Sequence, residues 1–95
     1  MKAKNQHQQV LWYLINWDEF SLMDLINDSM FIKFQTRLSE IENEVSCFIA
    51  ERTRVEFTNR FKRKSSYNKY KACVPKEKLI ELFNRYGDNK DLLNN

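Results

Sequence analysis

Ninety-five residues, 42% apolar and 14% aromatic, suit one small folded domain: single domains run to roughly 100–200 residues, and disordered chains are poorer in aromatic side chains. One glycine and one proline exclude the glycine-rich phosphate loops of nucleotide enzymes, which need several glycines for close backbone approach. The formal net charge is +3, no apolar run nears the roughly 18 residues of a membrane span, and Met1–Gln9 has no signal-like segment. A cytoplasmic chain with no membrane role is expected.

The charge is unevenly distributed. Residues 1–51 carry four Lys or Arg against eight acids, residues 52–78 ten against two, and residues 79–95 two against three. A stretch of net +8 inside a near-neutral chain is the electrostatic footprint of a polyanion partner, nucleic acid before an acidic membrane surface. A solvated lysine-rich loop has the same composition, so charge alone leaves both readings open.

In chain order, residues 6–16 place Val10, Leu11, Leu14 and Ile15 on one side and Gln8, Gln9 and Asn16 on the other, which predicts an amphipathic helix. After the extended piece Trp17–Phe20, Ser21 and Asp24 have the spacing of a capping box, opening a second helix over about Leu22–Asn27. Asn27-Asp28-Ser29 supplies turn and N-cap chemistry. Phe34, Leu38, Ile41 and Val45 then form the apolar stripe of a third helix.

From Cys47 the period changes to two. Thr53, Val55 and Phe57 alternate with Arg52, Arg54 and Glu56, and Tyr70, Ala72 and Val74 with Lys69, Lys71 and Cys73, predicting two antiparallel strands. Their connection, Thr58–Ser66, is an extended basic tip. Pro75 fits the first turn of a last helix, whose apolar residues are Leu79, Ile80, Leu82, Phe83 and Tyr86, with Gly87 capping its end. Residues 1–87 are thus expected to form one domain of the α+β class, mainly α with a β-hairpin, and residues 88–95 a polar, flexible tail.

Helix, short extended piece, capped helix, turn, helix and two-stranded hairpin is the order in which the chain resembles the small winged helix-turn-helix domains of phage and prophage proteins. The resemblance covers Gln9 to about Val74. It rests on Ser21 as the cap, on Arg37-Leu38-Ser39-Glu40-Ile41 as the Arg-apolar-x-acid-apolar motif of the recognition helix, and on Val55-Glu56-Phe57 through Asn59-Arg60-Phe61-Lys62 to Tyr70 as the wing. It implies double-stranded DNA binding, with a recognition helix at about 31–44 in the major groove and a basic wing at about 58–66 beside it. A transcription regulator or accessory factor of a phage or mobile element is the function it implies.

With Phe34, Leu38, Ile41 and Val45 buried, Ile32, Lys33, Thr36, Ser39, Glu40 and Asn43 point outward and Gln35 and Arg37 lie on the flanks. Lys33, Gln35, Thr36 and Arg37 are the candidate contacts of this helix, Gln35 to adenine and Arg37 to guanine by their hydrogen-bonding patterns. An i, i+3 ion pair of Arg37 with Glu40 is the equal alternative. Since Glu40 and Glu42 repel phosphate, most affinity is expected from Arg60, Lys62, Arg63 and Lys64. Arg52, Arg54, Lys69 and Lys71 extend the basic stripe if their strand faces turn toward DNA. Phe61 reads as a plug folded back over the hairpin rather than as a wedge.

Catalysis finds no support. His7 is the one histidine and sits in a polar stretch, reading as a surface residue without metal or catalytic partners. Cys47 and Cys73 read as reduced, packed thiols before a disulfide, and Asp24 and Asp28 as helix-end acids. No metal, cofactor, catalytic residue or small-molecule substrate is therefore expected. The competing class is a docking module, because Trp12, Tyr13 and Trp17 with the wide face of the last helix exceed one narrow stripe. They form either the core or a patch for a homodimer or protein partner.

Overall fold

The computed structural model describes residues 2–88. Its elements run α1 (Gln6–Asn16), β1 (Phe20–Ser21), α2 (Leu22–Ser29), α3 (Phe34–Val45), β2 (Ala50–Thr58), β3 (Lys64–Ala72) and α4 (Lys76–Asp88). The class is α+β: four helices and one antiparallel sheet of strand order β1-β3-β2.

Capping chemistry sets the first two helices. Asn5 is extended and its side-chain oxygen accepts from Gln8 N–H at 2.8 Å, starting α1. Ser21 and Asp24 form the expected capping box, each side chain accepting from the other's backbone N–H. Helix α2 runs to Ser29, two residues beyond the expected end. It stops because Met30 takes the left-handed conformation at φ 57°, its N–H closing on the Ile26 carbonyl at 2.9 Å. Asp28 and Ser29 therefore cap nothing downstream; both hydrogen-bond the Tyr13 hydroxyl, each at 2.6 Å. Lys33 precedes α3 without a side-chain cap bond.

The sheet corrects the two-stranded expectation. Phe20 pairs with Tyr70 and Ser21 with Lys69, adding a third strand two residues long. The hairpin is also longer than its alternation suggested, with an unbroken register from Ala50↔Ala72 to Thr58↔Lys64. Only its root is buried, at Ala50 and Tyr70. Since a nine-residue strand is about 30 Å long, a hairpin held only at its root accounts for the elongated 48 × 24 × 23 Å outline.

Helix α4 starts one residue after Pro75, whose carbonyl accepts from Leu79 N–H at 3.3 Å. Gly87 lies inside α4 and does not cap it. Its value is close approach: a Cβ there would sit 2.4 Å from Gln8 Nε2, which donates to the Phe83 carbonyl at 2.8 Å. Of the expected tail, Asp88 ends α4 and residues 89–95 lie outside the described residues.

The core joins Val10, Leu11 and Leu14 of α1 to Leu25, Phe34, Leu38, Ile41, Leu79 and Leu82. Tyr13 is buried, and Trp12 and Trp17 are half-buried against this cluster. The aromatic excess of α1 thus belongs to the core, which was one of the two readings left open. His7 is not a free surface residue, because its ring stacks on Tyr86 at 5.1 Å. Cys47 and Cys73 are free thiols and both are exposed, not packed.

Glu42 is the one buried carboxylate among the described residues. It accepts from the Ile49 N–H at 3.0 Å and from Arg52 at 2.7 Å, fixing the entry into β2 against α3. Glu42→Ala is expected to cost about 2 kcal/mol, the scale of losing a charge-assisted bond and leaving a buried N–H unsatisfied. Arg52→Ala should cost less, because the guanidinium is one-third exposed. Urea unfolding of both variants measures this, and equal losses would place the effect in the ion pair and not at the Ile49 N–H.

Candidate nucleic-acid interface

The outward face of α3 is as its periodicity predicts. Phe34, Leu38 and Ile41 are buried, Val45 is half-buried, and Lys33, Thr36, Ser39, Glu40 and Asn43 are exposed, with Ile32 just before the helix. Lys33 and Thr36 are therefore open to a partner. Gln35 and Arg37 are not free in the same way. The Gln35 amide donates to the Tyr70 hydroxyl at the root of β3. Arg37 donates to both Glu40 oxygens, at 2.9 and 3.1 Å, and to Gln6 Oε1 at 2.8 Å. Of the two alternatives for Arg37, the structure realises the ion pair, and a base contact would require breaking three hydrogen bonds.

At the far end of the hairpin, Asn59 organises the turn. Its backbone N–H donates to the Arg63 carbonyl and its carbonyl accepts from Lys62 N–H, both at 2.9 Å. Its side-chain oxygen accepts from the N–H groups of Phe61 (2.9 Å) and Arg63 (3.2 Å). Lys62 sits at φ 59°, completing a three-residue loop with a left-handed residue and a bulge. The loop is thus Arg60-Phe61-Lys62, shorter than the expected connection 58–66. Arg60, Lys62, Arg63 and Lys64 are all exposed here.

Charge pairing separates this tip from the rest of the basic segment. Arg52 is held by Glu42, Arg54 lies 3.7 Å from Glu56, and Lys69 lies 3.3 Å from Glu19. Arg52, Arg54 and Lys69 thus have local partners, and of the four residues Arg52, Arg54, Lys69 and Lys71 only Lys71 is without one among the described residues. None of Arg60, Lys62, Arg63 and Lys64 makes an ion pair among the described residues, and Thr58–Asn68 contains no acid. Four unpaired cations on a projecting turn make an anion-seeking surface. Phe61 is not the expected plug: it is 74% exposed, and Arg60 is the cation over its ring, at 6.0 Å.

A groove of about 990 Å³ runs between α2 and the hairpin, lined chiefly by Leu22, Met23, Ile26, Phe57 and Tyr67. Three of its polar groups already have partners: Asp24 in the capping box, Lys69 with Glu19, Gln35 with Tyr70. The described residues contain no group of three or more His, Cys, Asp or Glu placed to hold a metal ion. None of their helices is long and apolar enough to cross a membrane.

Sequence reasoning missed the organising role of Asn59, although an Asn before a basic turn is an Asx-turn signal. It also missed the Gln35–Tyr70 contact, which joins residues 35 positions apart and leaves no local trace. No protein-family model, curated protein or solved structure matches this chain.

Two outcomes are expected. The Arg37 hydrogen bonds hold the Glu40 carboxyl below its usual range, partial burial opposing them and His7 adding to them. A lowered folded pKa contributes stability above the unfolded value and loses it as pH falls through the folded value. In Arg37→Ala the Glu40 carboxyl should therefore titrate at higher pH, as followed by carboxyl NMR. An unmoved titration would dismiss Arg37 as the cause. Separately, Lys62→Gly should raise hydrogen-exchange protection of the hairpin amides by up to about 1 kcal/mol, because glycine adopts positive φ without strain. Lower protection would contradict the left-handed assignment.

Proposed function

We propose that this chain is a winged helix-turn-helix protein that binds double-stranded DNA, with α3 as the recognition helix and the β2–β3 hairpin as a basic wing. The observation that carries the reading is the tip: Arg60, Lys62, Arg63 and Lys64, on and directly beside a turn held away from the core, have no carboxylate partner among the described residues, whereas Arg52, Arg54 and Lys69 further down the strands each have one. The element order supports it, since β1 lies between α1 and α2 and pairs with the returning strand of the hairpin. So does the outward face of α3, where Lys33, Thr36, Ser39 and Asn43 offer short donors and acceptors suited to base edges and phosphates.

Labour divides unequally between the two parts. Glu40 and Glu44 on α3 are exposed acids that lower its attraction for phosphate, so α3 supplies register and base contacts while Arg60, Lys62, Arg63 and Lys64 supply affinity. Arg37 and Gln35 act as supports. The role that fits is a cytoplasmic transcription regulator or an accessory factor of a phage or mobile element, with no catalytic step and no cofactor.

Fluorescence anisotropy on a mixed-sequence duplex over a salt series tests this. Binding should weaken steeply with salt. Replacing Arg60, Lys62, Arg63 and Lys64 with Ala should flatten the slope by about 0.9 per lost phosphate contact, up to about 3.6 for four. Arg37→Ala should leave the slope unchanged. Equal affinity and slope in the quadruple variant would remove the wing as the anchor. No duplex binding at low salt would leave a protein-docking module, alone or as a homodimer, as the surviving reading.

A further inference from the structure

Phe61 is held outward at the one place where four unpaired cations meet. Leaving a phenylalanine in water forfeits about 1.5–3 kcal/mol of available burial, and the chain has an apolar surface at hand on which to lay it. Phe57 and Tyr67, a few residues down the same hairpin, pack on each other with ring centroids 5.8 Å apart. Phe61 does not join them. The turn prevents it: Asn59 binds the Phe61 and Arg63 N–H groups with one side-chain oxygen, and the left-handed Lys62 closes the loop behind the ring. The ring is therefore 74% exposed at the apex of the hairpin, with Arg60 directly before it and Lys62 and Arg63 directly after.

An apolar ring set among cations on a narrow, pre-organised turn is matched by an anionic surface with an apolar slot in it. Duplex DNA offers this where the minor groove opens onto a base step: phosphates line both edges, and an apolar wedge entering between base pairs unstacks them. We propose that Phe61 is such a wedge, inserting from the minor groove into a base step and bending the duplex, while Arg60, Lys62, Arg63 and Lys64 grip the flanking phosphates. This rests on the DNA-binding reading above and adds a property that reading does not require, since cations alone anchor a wing without deforming DNA. Pyrimidine–purine steps unstack most readily. The wedge thus adds sequence preference at a position where no side chain reads a base edge.

The test uses the full chain and a duplex of about 25 base pairs with a central TA step, its two ends carrying a donor and an acceptor dye. Anisotropy of the same duplex reports binding, so the two properties are measured apart. The wild-type chain should bind and bring the ends closer, consistent with a bend in the range of about 20–90°. Phe61→Ala should bind with the same salt slope and leave the duplex straight, whereas Phe61→Leu, which keeps an apolar wedge, should bend it. Because the ring touches no core residue, thermal unfolding of both variants should match the wild type. Binding without bending, or equal bending by Phe61→Ala, overturns the wedge and leaves the DNA reading intact. Phe61-dependent binding to single strands with the duplex left straight overturns it in favour of base stacking on an open strand. No duplex binding at all overturns both readings.

Discussion

Three aromatic rings decide where the hairpin points. Phe20 of β1, Phe34 of α3 and Tyr70 of β3 lie within 6.1 Å of one another by ring centroid, and each is at most 1% exposed. Aromatic pairs add about 0.5–1.5 kcal/mol each beyond area burial, and each of these joins two different elements. Tyr70 belongs to the strand ladder through its backbone and to the core through its ring, so β3 cannot slide without disturbing α3. Its hydroxyl, which would be costly to bury alone, accepts from the Gln35 amide. The same side chain that looked suited to an adenine thus satisfies the phenol that ties the hairpin to the helix.

Polar groups complete the attachment at points the rings do not reach. Ser21 pairs with Lys69 in the sheet and caps α2, so one residue couples the sheet edge to the start of a helix. Glu42 does the corresponding task on the other side, between α3 and β2. On the far face, Gln8 and Gly87 let α1 and α4 approach closely, and His7 stacks on Tyr86 beside Glu40. The Tyr86 hydroxyl is buried with no hydrogen-bond partner among the described residues, and burial, with the Glu44 carboxylate adding, pushes its pKa up to about 12. The ring contributes by packing, buried in the core and stacked on His7. Both ends of α3 are thereby fixed, leaving one face free.

What the sequence discloses follows the range of the interactions. The bounds of α1, the capping box of α2 and the stripe of α3 depend on residues three or four apart, and all three appear as read. The hairpin depends on cross-strand neighbours. Lys64, Ser65 and Ser66 have weak strand propensity, yet they pair with Thr58, Phe57 and Glu56, and pairing overrides propensity. A two-residue strand such as β1 has no period to detect. Arg37 shows the boundary within one side chain: its bond to Glu40 is legible at i, i+3, whereas the bond to Gln6 exists only because α1 crosses α3. Gly87 was misjudged for the same reason, since its constraint comes from Gln8 on another helix.

Local cost and exposed charge coincide at Lys62. A left-handed backbone is strained for any residue with a side chain, by about 1–2 kcal/mol, and glycine would relieve it. Of the three described non-glycine residues at positive φ, Met30 and Ser46 end helices, where such geometry closes the last turn. Lys62 ends no helix; its geometry closes the loop that holds Phe61 outward and brings Arg60 and Arg63 to either side. A glycine would make the same turn with less strain and one cation fewer. The three-residue loop itself asks for a left-handed residue at this position, and a lysine there keeps a charge that glycine would not supply. In the proposed role the hairpin therefore gives up a small amount of stability at its tip to present four cations and one ring in a fixed order.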